Sequence, residues 1–152
     1  MTQAMASKLS ELIRILPGYD PYRDAGDCWF DEAAAQRAID FFPACLTHVK
    51  GRKTGKPFVL EPWQQAIVAN LFGWKRPDGM RRYREVFIYI PRKNGKSLLV
   101  AGIAVYMLFC DNELGAEIYS ASGDEDQASL CFDMAKVMVA HDVELARRAK
   151  IY

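Results

Sequence analysis

Two stretches of the chain are apolar at almost every position, and their lengths predict different structures. Val86-Phe87-Ile88-Tyr89-Ile90 is short and continuous, the pattern of a strand covered on both faces. Leu98 to Cys110 carries no charge, yet falls short of the roughly 20 apolar residues that a membrane span needs. It predicts a buried helix from about Lys96 to Cys110. Ala116–Tyr119 then reads as a second strand, and Asp124-x-x-Gln127 has the spacing of a reciprocal cap for a helix to about Ala140. Strand, helix, strand, helix is the βαβ pattern of a parallel sheet with a right-handed crossover.

The first half is less regular. A short helix is expected around Ser7–Leu16, followed by turn punctuation at Pro17, Gly18, Pro21 and Gly26. Asp31 is placed to cap a helix to about Val49, with Ala34, Ala38, Phe41, Phe42, Leu46 and Val49 near helical spacing. Pro43 lies inside that run and should kink or interrupt it. Pro57–Leu60 is extended, and Pro62 suits the first turn of a helix to about Phe72. Lys75 to Arg84 is a basic connection that turns at Pro77-Asp78-Gly79. The expected organisation is an irregular segment over 1–30 and one domain over 31–152.

Composition changes this picture little, and charge changes it more. With 152 residues, 51% hydrophobic and 26% charged, the chain matches one soluble globular domain. The formal net charge of +1 argues against a uniformly basic nucleic-acid binder. From Lys50 to Arg84, however, nine Lys/Arg face only Glu61 and Asp78, whereas Asp111 to Asp133 holds seven acids and no base. The basic stretch 50–84 is therefore a candidate for meeting double-stranded DNA. Cys28, Cys45, Cys110 and Cys131 lie far apart, with only His48 and His141 to help them. They read as reduced thiols rather than metal ligands. No secretion signal is expected in Met1 to Leu16, and the predicted location is cytoplasmic, away from any membrane.

The strand 86–90 and the helix from Lys96 frame Pro91-Arg92-Lys93-Asn94-Gly95-Lys96-Ser97, a phosphate-binding loop of the G-x-x-x-x-G-K-[ST] type. Gly95 permits close backbone approach, Lys96 reaches the β- and γ-phosphates of ATP, and Ser97 offers its hydroxyl to Mg²⁺. Helix N–H groups add partial positive charge. The pattern's first glycine falls at Ile90, a departure offset by the strand before and the helix after. Arg92 is a candidate for steadying charge at the γ-phosphate, or else a surface cation. Lys93 is first a surface cation; with Asn94 it completes the candidate nucleotide-binding loop. Gly51-Arg52-Lys53-Thr54-Gly55-Lys56-Pro57 is a decoy. Its glycines are four apart, Pro57 has no hydroxyl, no buried strand precedes it, and it reads as a solvated turn, with contact to nucleic-acid phosphates as the alternative.

Four features occur together: Pro57-Phe58-Val59-Leu60-Glu61-Pro62-Trp63-Gln64-Gln65, Phe72-Gly73-Trp74, Ile90 to Ser97, and Gly115-Ala116-Glu117-Ile118-Tyr119-Ser120-Ala121-Ser122. In this order they resemble the large terminase subunit of tailed bacteriophages, over residues from about 30 to 140. The resemblance implies an α/β fold: a P-loop NTPase-like parallel sheet of the additional-strand type, flanked by helices, incomplete, with a helical N-terminal segment. It implies an ATP- and Mg²⁺-dependent motor that moves duplex DNA into a capsid, with the small terminase subunit and the capsid portal as partners in a bacterial host cell. Gln64 looks like the family's glutamine that meets the adenine edge, an amide offering donor and acceptor together; the alternative is that it merely opens a helix. Arg92 resembles the family's loop arginine, and with Lys96 it is the expected catalytic pair. Ser120–Gly123 lies where related translocases touch nucleic acid, or is an ordinary helix cap.

An ATPase of this type needs an apolar strand ending in Asp-Glu, and no such sequence occurs here. Asp124-Glu125-Asp126 reads instead as an acidic first helical turn, favoured by the helix dipole. Nor is there room for the family's nuclease domain. The expectation is a fragment with little activity alone. A non-catalytic prophage remnant or interaction protein, and a small helicase-like nucleotide-binding module, stay open beside it.

Overall fold

Along the chain the elements run α1 (Gln3–Leu12), β1 (Trp29–Phe30), α2 (Glu32–Cys45), α3 (Pro62–Gly73), β2 (Trp74–Lys75), α4 (Lys96–Cys110), α5 (Glu125–His141) and α6 (Val143–Arg148). The computed structural model describes the backbone of residues 3–111 and 113–151, and side chains from Lys8 onward. The first two positions of the expected segment 1–30 and the last of the expected domain 31–152 lie outside them. Two compact units divide the chain: Met1–Asp40 with Leu60–Ile88, and Phe41–Val59 with Tyr89–Tyr152.

The first unit is organised by α3. Pro62 sits in its first turn, where a missing N–H costs nothing. Ala66, Val68, Ala69, Leu71 and Phe72 are all buried, so the helix is apolar around most of its girth, as a core helix must be. One polar side chain, Asn70, is buried among them. Its Nδ2 donates to the carbonyls of Ile13 and Ala66, both at 2.9 Å, and its Oδ1 accepts from Trp74 Nε1 at 3.2 Å. A single amide thus ties the end of α1 to α3 and β2. At the end of α3, Gly73 has to lack a side chain. A Cβ there would collide with the Phe30 ring and come within 2.9 Å of the Ala35 methyl.

That close approach lets β1 and β2 pair antiparallel, Trp29 opposite Lys75 and Phe30 opposite Trp74. Asp31 follows, donating its N–H to the Gly73 carbonyl at 2.7 Å and accepting the Ala34 N–H on Oδ1 at 2.9 Å. It caps α2 as its position predicted. Arg82 fastens the irregular N-terminal loops. Its guanidinium donates to the carbonyls of Pro21 (2.6 Å) and Arg23 (2.7 Å), and lies 5.0 Å from the ring centres of Trp74 and Tyr83. Beside it Tyr19 donates to the Tyr83 hydroxyl, and burial together with that neighbour pushes the Tyr19 phenol up.

In the second unit α4 presents Leu99, Ala101, Gly102, Ile103, Val105 and Tyr106 to the core. Gly102 is a contact point. A Cβ would stand 2.5 Å from Phe42 Cε1 and 3.1 Å from Leu46 Cδ1, so the ring of Phe42 lies flush on the helix backbone. Phe41 meets Tyr106 edge-on at 5.2 Å. α5 packs along α4 and buries Met138 and Val139. No helix among the described residues is long and apolar enough to cross a membrane.

Several expectations need correcting. Among the described residues the one sheet is the β1–β2 pair. Residues 86–90 and 116–119 join no ladder. Phe87 is 89%, Tyr89 88% and Tyr119 82% exposed. An apolar run sets a preference for strand, but a strand forms only when neighbours close its backbone hydrogen bonds. α2 ends at Cys45 rather than near Val49, passing through Pro43 without a break. The proline lacks the N–H that would bond the Ile39 carbonyl, and the helix ends two residues later. The α5 cap is Asp124 accepting from the Asp126 N–H at 3.1 Å, without the reciprocal Gln127 arm. α6 was not expected; Asp142 caps it through the Leu145 N–H at 2.9 Å.

Candidate nucleotide-binding site

The loop before α4 is built by two left-handed residues. Lys93 has φ 68° and Gly95 φ 72°. For glycine this is free, whereas for lysine it costs about 1–2 kcal/mol, so the loop carries strain at Lys93. Asn94 Nδ2 and Lys96 Nζ hold the turn by donating to the carbonyls of Pro91 and Ile90, each at 3.3 Å. All residues from Pro91 to Lys96 are exposed and Ser97 is half-buried.

Gly95 is the residue before α4, and no side chain caps the helix there. The first bond that closes is Leu99 N–H to the Gly95 carbonyl at 3.1 Å, which leaves the N–H groups of Lys96, Ser97 and Leu98 ahead of it. No acidic residue occupies the first turn. Three donors and a helix dipole therefore stand without an internal anion, beside a loop that carries the cations Arg92, Lys93 and Lys96. Such a terminus fits a phosphate. The donor set also fits Mg²⁺, for which the Ser97 hydroxyl is a hard oxygen ligand.

Arg92, Lys93, Asn94, Gly95, Lys96 and Ser97 are thus brought together. Gln64 belongs to the other unit, at the start of α3. It is buried, and its Oε1 accepts the Glu61 N–H at 2.9 Å. The helix-opening role is therefore realised. The amide keeps its Nε2 donors and the second lone pair of Oε1 for any further partner. Ser120 Oγ donates to the Ala128 carbonyl at 2.7 Å, and Asp124 caps α5, so residues 120–124 do serve as a helix entrance. Sequence reasoning overlooked Cys131, whose thiol meets the Ser97 carbonyl at 4.0 Å. Burial raises this thiol above its ordinary value. No motif links positions 97 and 131; only the packing of α5 on α4 does.

The family model for the terminase large subunit, ATPase domain, matches residues 62–151, more than half of the chain, including the whole loop. The chain belongs to this family. The crystal structure of the large terminase of bacteriophage HK97 is similar to it, with 26% sequence identity and a TM-score of 0.65 over 78% of this chain. The same match covers 23% of the HK97 chain, so this terminase ATPase chain spans less than a quarter of that protein's length. No curated protein matches it.

Proposed function

We propose that this chain is the ATP-binding portion of a phage DNA-packaging motor, which in the whole protein couples ATP hydrolysis to movement of duplex DNA. The observation that carries the reading is the uncapped, cation-rich N-terminus of α4 behind a left-handed Gly95, in a chain of the terminase ATPase family. Lys96 would reach the β- and γ-phosphates and Arg92 the γ-phosphate, with the loop N–H groups around them. When bound, Mg²⁺ neutralises charge across the phosphate oxygens, and Ser97 would be its protein ligand. Gln64 would offer Nε2 to the adenine edge. In the whole protein, residues 86–90 and 116–119 would become strands of an additional-strand parallel sheet. Duplex DNA, the small terminase subunit and the capsid portal would be its partners, in the cytoplasm of a bacterial host. We assign no carboxylate of this chain to activating water, because Asp124 is committed to capping α5.

Titration calorimetry with ATP·Mg²⁺ and GTP·Mg²⁺ tests this. Saturable binding that favours ATP is expected, and Gln64→Ala should weaken ATP about fivefold, the value of one ordinary hydrogen bond. Equal losses for ATP and GTP would confine Gln64 to its capping role. No heat from a chain that circular dichroism shows to be folded would favour the remnant reading. Hydrolysis should be negligible. Turnover near about 1 per second that depends on Lys96 would favour a complete small ATPase module.

A further inference from the structure

The basic stretch 50–84 is divided between the two units. In the first unit its cations are largely occupied: Arg76 pairs with Asp78, Arg82 is bonded to two carbonyls, and Arg81 lies 5.8 Å from the Phe72 ring centre. In the second unit the segment expected to be a solvated turn is a built hairpin. Thr47 bridges Pro57. His48 N–H donates to the Lys56 carbonyl at 2.9 Å, and Gly55 N–H donates back to the His48 carbonyl at 2.8 Å. At the tip, Thr54 bonds the Gly51 carbonyl through both its N–H (3.1 Å) and its hydroxyl (2.6 Å). Gly51 (φ 84°) and Gly55 (φ 78°) supply the left-handed corners. The base is anchored by the buried Leu46 and Phe58, joined by Phe58 N–H to the Leu46 carbonyl at 2.8 Å.

This hairpin holds Lys50, Arg52, Lys53 and Lys56, all exposed. No Asp or Glu occurs between Asp40 and Glu61, and among the described residues no side chain pairs with these four cations. A set of unpaired like charges is held on a rigid frame against its own repulsion. With every residue from Lys50 to Pro57 exposed, the tip is convex and cannot enclose a nucleotide. It suits an extended array of phosphates, and a pre-ordered tip lowers the cost of binding one. We propose that the hairpin 47–57, rather than the cations of 75–84, is the element that grips the phosphate backbone of duplex DNA. This rests on the terminase reading above.

The test is fluorescence anisotropy of a labelled DNA duplex titrated with the whole chain, from about 50 to 200 mM salt. Arg52→Gln/Lys53→Gln/Lys56→Gln should bind about tenfold or more weakly at low salt. Its salt slope should fall by about 3, since each phosphate contact contributes about 0.9. Lys75→Gln/Arg84→Gln should bind like wild type. Gly55→Ala, which leaves the charge unchanged, should also weaken binding by straining the corner. Wild-type binding that the triple variant retains overturns the hairpin assignment and leaves the DNA reading standing. No wild-type binding at low salt overturns both. Hairpin-dependent binding to polyglutamate, with none to duplex, would assign the tip to an acidic protein and overturn the proposal.

Discussion

Replacing Lys96 by alanine is expected to weaken ATP·Mg²⁺ binding about 30- to 150-fold while leaving the unfolding midpoint within about 2 °C of wild type. The first figure follows from losing one charge-assisted hydrogen bond, worth about 2–3 kcal/mol. The second follows from the geometry. Lys96 is exposed, and its ammonium makes one long bond to the Ile90 carbonyl at 3.3 Å, a group that water replaces without loss. Lys96→Arg should not restore affinity, because the planar guanidinium is bulkier and its fork differs from a compact ammonium. Calorimetry and thermal unfolding of the same samples separate the two effects. Unaltered ATP affinity in Lys96→Ala would mean that the loop does not hold the phosphates.

The largest effect on stability is expected at Asn70. Asn70→Leu keeps the branched outline, with bulkier methyl groups, but removes all three hydrogen bonds of the buried amide. The Ala66 carbonyl retains a helical partner, whereas the Ile13 carbonyl and the Trp74 indole N–H are left buried and unpaired. Each orphan costs about 1–3 kcal/mol, so a loss of about 2–6 kcal/mol should appear as a lower urea midpoint. Asn70→Asp is isosteric and should be worse. It turns two donors into an acceptor facing two carbonyls and adds a charge where burial disfavours it. A leucine variant as stable as wild type would show that apolar contact, rather than the amide, joins α1, α3 and β2.

α3, α4 and α5 were legible because their signals are local, whereas α6 was not foreseen and α1 starts earlier than expected. Pro62, Gly95 and Asp124 mark starts within one or two residues, and the apolar spacing of α3 and α4 does not depend on distant partners. Sheet structure was less legible for the opposite reason. Trp29–Phe30 and Trp74–Lys75 pair across more than forty residues with no short turn joining them directly, and what permits it is the bare Gly73. Conversely, Val86–Ile90 has a strand's composition but finds no ladder among the described residues. At the candidate site, Gly95, Lys96 and Ser97 could be read from their spacing, while the left-handed Lys93 could not. The exposed turn at 51–57 was legible, but the hairpin frame around it was not, because that frame consists of backbone bonds, which no side-chain motif records.

The segment around Phe87 and Tyr89 has a practical consequence. Digestive proteases bind their substrates as extended strands, and chymotrypsin-like enzymes choose aromatic side chains. Here two exposed aromatics stand on backbone that joins no ladder, where the sequence passes from one compact unit to the other. Brief chymotrypsin treatment should therefore nick the chain after Phe87 or Tyr89 before it reaches the buried Phe42, Phe58 or Phe72. The resulting pieces, of about 10 and 7 kDa from a 17.2 kDa chain, would be visible on a gel within minutes.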